Sequence, residues 1–204
     1  MQSFSNVFTQ FPSVSDALEL LLMLVTDPMT LALFALLLVA AVSDYRVYKI
    51  PNWLTMGGTV VALSHSVFAS SALHPDLVSA LGGCALGLVV MLPAYALRVM
   101  GAGDVKLMAM TGAFLGSYEI LQAVIATFIV GGVAAIAVAL YRKALRRMFA
   151  NLKSILHLTA VSAVSGSVSG MQVQGMPSIG RMPYGISISI GTIGYVVGRQ
   201  LGYL

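Results

Sequence analysis

The 204-residue chain is 58% hydrophobic and only 9% charged, where a soluble domain carries about a quarter charged residues. Such a chain cannot clothe itself in a hydrated surface, so a soluble enzyme or binding module is excluded and the length suits one compact helical membrane domain over residues 1–204. The net charge of +4 does not signal nucleic acid here, and the single cysteine, Cys84, rules out an internal disulfide or a zinc site of paired cysteines; Cys84 reads as a small core residue.

A helix that crosses about 30 Å of hydrocarbon needs about 20 apolar residues at 1.5 Å each. In chain order, residues 1–15 lack the basic start of a cleavable signal peptide. Residues 13–26 read as an amphipathic interfacial helix behind Pro12, with Asp16 and Glu19 spaced as a capping pair. Spans are expected at 29–43, 54–73, 77–97, 105–118, 120–140 and 184–204. The fold class is therefore all-α, a polytopic bundle of six transmembrane helices.

Six spans leave three loops on one side, 44–53, 98–106 and 141–183. These hold Arg46, Lys49, Arg98, Lys106, Arg142, Lys143, Arg146, Arg147, Lys153 and Arg181, leaving only Arg199 of the 11 bases elsewhere. Basic loops stay cytoplasmic, which puts the N-terminus outside. The loop 141–183 begins as a basic amphipathic helix suited to anionic headgroups and continues as a Ser/Gly-rich linker. Small residues four apart, Gly83 and Gly87, Gly112 and Gly116, Gly194 and Gly198, predict close helix packing. The methionines read as lipid-facing or packing residues rather than metal ligands, and His65, His74 and His157 share no motif.

The acids sort oppositely. Asp16, Glu19, Asp27, Asp76 and Glu119 fall at the outer side, and only Asp44 and Asp104 at the inner one. Asp104 follows a glycine turn and opens a helix, where a carboxylate is a natural cap. Asp44 closes a helix, where the dipole disfavours it, with Arg46 and Lys49 available as counter-charges. Both helices read as several ångströms short of the hydrocarbon thickness, about 24 Å for some 16 residues, which draws the two acids below the membrane surface. Ionisable groups there are functional candidates. Two close carboxylates share a proton: the ionised one activates a water while the protonated one polarises a peptide carbonyl. That is aspartic proteolysis, which requires no metal or other cofactor. Gly101 and Gly103 then let a substrate strand or facing helix approach Asp104, and Lys106 biases the pair or holds a substrate carboxylate.

At these residues the sequence resembles the type IV prepilin peptidases, in the short form associated with Flp-type pili. The carrying stretches are SDYRVYKIPNWLT (43–55), GAGDVKLMAMTGAFLG (101–116) with its GxGD motif and, more weakly, MPYGISISIG (182–191). The resemblance implies that Asp44 and Asp104 are the catalytic pair and that a short basic leader is cut from a prepilin at the cytoplasmic face of the inner membrane. It makes Lys49, Pro51 and Asn52 site-shaping or substrate-binding residues; Pro51 and Asn52 read equally well as a turn and helix start. Pro183 and Gly185 either position the last helix beside the site or simply begin it. Long family members carry a cysteine-rich cytosolic domain associated with N-methylation, and this chain has no such insertion. Two other readings stay open: a presenilin-like intramembrane aspartic protease, and a non-enzymatic proton- or cation-coupled transport or assembly subunit.

Overall fold

A computed structural model describes residues 27–68, 75–97, 100–141 and 183–201. Every regular element among them is a helix: α1 Pro28–Val47, α2 Asn52–Phe68, α3 Leu77–Ala96, α4 Ala102–Leu115, α5 Glu119–Tyr141 and α6 Tyr184–Gln200. Three of them, α1, α3 and α5, are long and apolar enough to cross a membrane, which with the composition marks a membrane protein. The expected interfacial helix at 13–26, most of the basic loop 141–183, Arg98, His74 and His157 lie outside the described residues.

Local chemistry sets the helix ends. Asp27 caps α1 by accepting the Thr30 N–H at 3.0 Å, and Pro28 fills the first turn, where its missing donor costs nothing. Asp76 caps α3 in the same way through Ser79 N–H, at 3.1 Å. Two expected boundaries are corrected. The first span does not stop at Ser43: α1 runs a further turn to Val47 and closes on Tyr48, whose left-handed backbone (φ 52°) lets its N–H reach the Asp44 carbonyl at 2.9 Å. At 20 residues α1 spans about 30 Å, so Asp44 does not end a short helix. The fourth span is short as expected but displaced. It starts at Ala102 rather than residue 105 and ends at Leu115, 14 residues or about 21 Å, with Asp104 inside its first turn.

α4 is the centre of the bundle. From Asp104 to Phe114 every residue except Lys106 is buried, as befits a helix that is apolar all round. Its tightest neighbour is α3. In lipid, helices gain no hydrophobic drive to associate and rely on close backbone contact; glycines supply it here. A Cβ on Gly112 would strike the carbonyl of Gly83, and one on Gly87 would lie 2.6 Å from the Met108 carbonyl oxygen. The predicted pairs Gly83/Gly87 and Gly112/Gly116 thus form one interface. The pair Gly194/Gly198 is corrected: Gly194 faces open space, and α6 instead meets α5 at Gly191, where a Cβ would fall 2.6 Å from Thr127 Cα.

The helices alternate in direction, which gathers their termini into two groups. One group joins the end of α1 to the starts of α2, α4 and α6, through bonds between Asp44 and Gly185 and between Asn52 and Lys106. The other joins the starts of α1, α3 and α5 to the ends of α4 and α6. There Ser117 N–H donates to Ser79 Oγ at 3.2 Å, and Arg199 pairs with Glu119.

Candidate active site

The buried face of α1 runs Leu33, Leu37, Ala40 and then Asp44, one stripe at helical spacing whose last member is a carboxylate. Asp44 is only 6% exposed and Asp104 7%. The two come from different helices at the same end of the bundle, close enough for the charge of one to act on the other.

Each carboxylate is held by backbone amides. Asp44 Oδ2 accepts the Gly185 N–H at 2.7 Å, and the Ile186 amide is directed at the same group. Both amides belong to the first turn of α6, so the positive end of that helix faces the acid. The counter-charge expected from Arg46 and Lys49 is corrected accordingly: both are exposed, and α6 supplies the compensation. Contact here is close, because a Cβ on Gly185 would sit 2.8 Å from Asp44 Oδ2. Asp104 Oδ2 accepts the Gly101 N–H at 2.9 Å while Asp104 N–H returns a bond to the Gly101 carbonyl at 3.1 Å, so it does cap its own helix. Capping occupies this carboxylate without removing it from the neighbourhood of Asp44. Tyr184, opening α6, lies within electrostatic reach of Asp104.

The remaining candidates frame this pair. Ser43 Oγ donates to the Lys49 carbonyl at 2.7 Å, folding the chain back after α1, and the Pro51 carbonyl accepts Leu54 N–H at 3.2 Å as α2 begins at Asn52. The Lys49 side chain is exposed. Lys106 Nζ donates to Asn52 Oδ1 at 2.9 Å, tying the start of α4 to the start of α2. Gly103 packs on that connection: a Cβ there would approach Ile50 Cβ to 3.2 Å. At Gly101 a Cβ would meet nothing nearer than Asp104 Oδ2, at 3.5 Å, an ordinary contact. Among the described residues no three His, Cys, Asp or Glu side chains gather as a metal site would need.

Sequence reasoning did not find the amides of Gly185 and Ile186 as partners of Asp44. The signal available was the MPYGISISIG stretch, whose Pro183 precedes the helix and whose glycine leaves room for a buried acid. Ile50 lies within the SDYRVYKIPNWLT stretch, but its contact with Gly103 depends on the path of the chain between two helices and has no signal of its own.

A family model describing the type IV leader peptidase family matches residues 31–136, a stretch that holds both Asp44 and Asp104. The chain belongs to the type IV leader peptidase family. As a leader peptidase-like protein it is a protease, a hydrolase of peptide bonds. The match ends within α5, so the α6 amides that hold Asp44 come from beyond the matched leader peptidase segment. Comparison with curated proteins and with solved structures gives no significant match.

Proposed function

We propose that this leader peptidase is a membrane-embedded aspartic endopeptidase of the GxGD type. It removes the short basic leader of Flp-type prepilins at the cytoplasmic face of the inner membrane and so serves type IV pilus biogenesis. Its six helices all cross the bilayer, its basic loops face the cytoplasm and its N-terminus lies outside. The observation that carries the reading is the pair of buried carboxylates, Asp44 and Asp104, brought from two helices to one end of the bundle within electrostatic reach of each other. The family supports the class of reaction, and the bases Arg46, Lys49 and Lys106 at the same end support its orientation by the excess of positive charge in cytoplasmic loops.

In this mechanism the pair shares one proton. The ionised carboxylate takes a proton from a water whose oxygen attacks the scissile carbonyl carbon, while the protonated one gives its proton to the carbonyl oxygen. The tetrahedral intermediate then collapses: the C–N bond breaks, the leaving amine takes the proton held by the base, and the other carboxylate takes back a hydroxyl proton as the carbonyl re-forms, which restores the shared proton. The reaction needs no group beyond the two acids and a water. Gly101, Gly103, Lys49, Pro51, Asn52 and Lys106 shape the mouth of the site, Lys106 acting through its bond to Asn52.

Co-expression with a candidate prepilin tests the assignment. Asparagine keeps the shape of aspartate but cannot exchange the proton, so Asp44→Asn and Asp104→Asn should each abolish leader removal while the protein still inserts. Leader removal by either variant at the parental rate would reject the pair.

A further inference from the structure

At the end of the bundle that holds the two acids, most hydrogen-bond donors are already spent. The Gly185 and Ile186 amides serve Asp44, the Gly101 amide serves Asp104, and Lys106 is bound to Asn52. Arg46 and Lys49 are exposed, and Arg46 stands two residues, or about 200°, round α1 from Asp44. A peptide carbonyl brought to this pair gains the proton of the protonated acid. An oxygen that gathers charge in the transition state is stabilised further by a fixed donor aimed at it, a role that a tyrosine hydroxyl can fill.

Tyr184 is placed for that role. It opens α6 immediately before Gly185, whose N–H lies 2.7 Å from Asp44 Oδ2, so Tyr184 Cα, two bonds back along the chain, is within about 5.5 Å of that oxygen. Helical Cα–Cβ bonds tilt toward the N-terminus, here the end where the acids meet. The phenol also lies within electrostatic reach of Asp104, so one residue borders both carboxylates. Its side chain is half-buried. The hydroxyl bonds to none of the described residues and is not sealed off, so an incoming group can reach it. A phenol offers one O–H donor, and this one is uncommitted.

We propose that the Tyr184 hydroxyl donates a hydrogen bond to the carbonyl oxygen of the scissile peptide bond as that oxygen gains charge, which makes Tyr184 a third catalytic residue. The inference deepens the peptidase reading and rests on it. The bond changes are unaltered. One carboxylic acid protonates the oxygen and later takes a proton back, while the phenol keeps its own proton throughout and occupies the oxygen's second lone pair.

The test measures kcat and KM for cleavage of a candidate prepilin by the full-length protein in detergent, comparing the parent, Asp104→Asn, Tyr184→Phe and Tyr45→Phe. Phenylalanine keeps the ring and removes only the hydroxyl. Tyr184→Phe should lose on the order of 100-fold in kcat with KM little changed, the mark of a bond made only in the transition state. Its thermal unfolding should match the parent's, because no described residue uses the hydroxyl. Tyr45→Phe, beside Asp44 in the chain but exposed, should cleave like the parent. Parental kcat in Tyr184→Phe, a loss confined to KM, or failure of that variant to fold would each overturn the proposal, the last by assigning the hydroxyl to structure. With the parent active and Asp104→Asn inactive, such a result leaves the peptidase reading standing. Cleavage by Asp104→Asn at the parental rate would reject that reading and this proposal with it.

Discussion

Replacing Gly185 with alanine puts one methyl group where α6 meets Asp44. The new Cβ would lie 2.8 Å from Asp44 Oδ2 and 3.1 Å from its Cβ and Cγ, with Asp44 itself fixed on the buried stripe of α1. The carboxylate has no flexible length with which to retreat, so either it turns from the Gly185 amide or α6 withdraws. Overpacking of this kind costs about 1–3 kcal/mol, against at most about 1 kcal/mol gained by removing a glycine from a helix, so stability falls slightly. Activity should fall much further, because a displacement of about 1 Å in a reacting group costs on the order of 100-fold in rate. The assay is leader cleavage by purified protein, with kcat and KM separated. Most of the loss should lie in kcat, while thermal unfolding shifts by only a few degrees. Gly194→Ala on the same helix is the control, since nothing lies within 4 Å of its Cβ, and it should cleave like the parent. Parental kcat in Gly185→Ala would refute the claim that the start of α6 positions Asp44 for the reaction.

Three further outcomes are expected. Gly87→Ala drives a methyl against the Met108 carbonyl, 2.6 Å away, where only separation of α3 from α4 relieves it; unfolding in detergent should show a loss of about 1–3 kcal/mol. Asn52→Ala and Lys106→Ala remove the two partners of one 2.9 Å bond, so a double-mutant cycle on stability should give a coupling of about 0.5–1.5 kcal/mol, and strict additivity would show the bond to be inconsequential. Ser189 Oγ donates to the Leu37 carbonyl on α1 at 2.8 Å; Ser189→Ala should cost about 1 kcal/mol and lower kcat measurably by loosening α6 on α1.

Much of this arrangement is legible along the chain because it depends on local chemistry. Asp27-Pro28 and Asp76 announce helix starts, and the glycines at 83, 87 and 112 announce an interface. The sorting of acids against bases brings Asp44 and Asp104 to the same end. Other features depend on distant partners. The last turn of α1 reads as loop because Tyr45 and Arg46 are not apolar, yet Asp44 continues the buried stripe and Tyr48, a residue without glycine's freedom, closes the helix. The Gly185 amide reaches Asp44 across 141 residues of sequence, a separation at which no periodicity speaks. Gly194 has the spacing of a contact without the neighbour, whereas Gly191, outside any predicted pair, meets Thr127. Lys106 reads as a charge beside the acid, but its partner is Asn52, a choice set by how α2 and α4 are placed.

The account stands or falls on whether the two buried acids work as a unit. Cleavage rates of purified Asp44→Asn, Asp104→Asn and the double variant measure this directly. A shared proton predicts that each single change drops the rate to one common floor and that the double change goes no lower. Effects that multiply, or one variant that still cuts at the parental rate, would mean that the acids act separately.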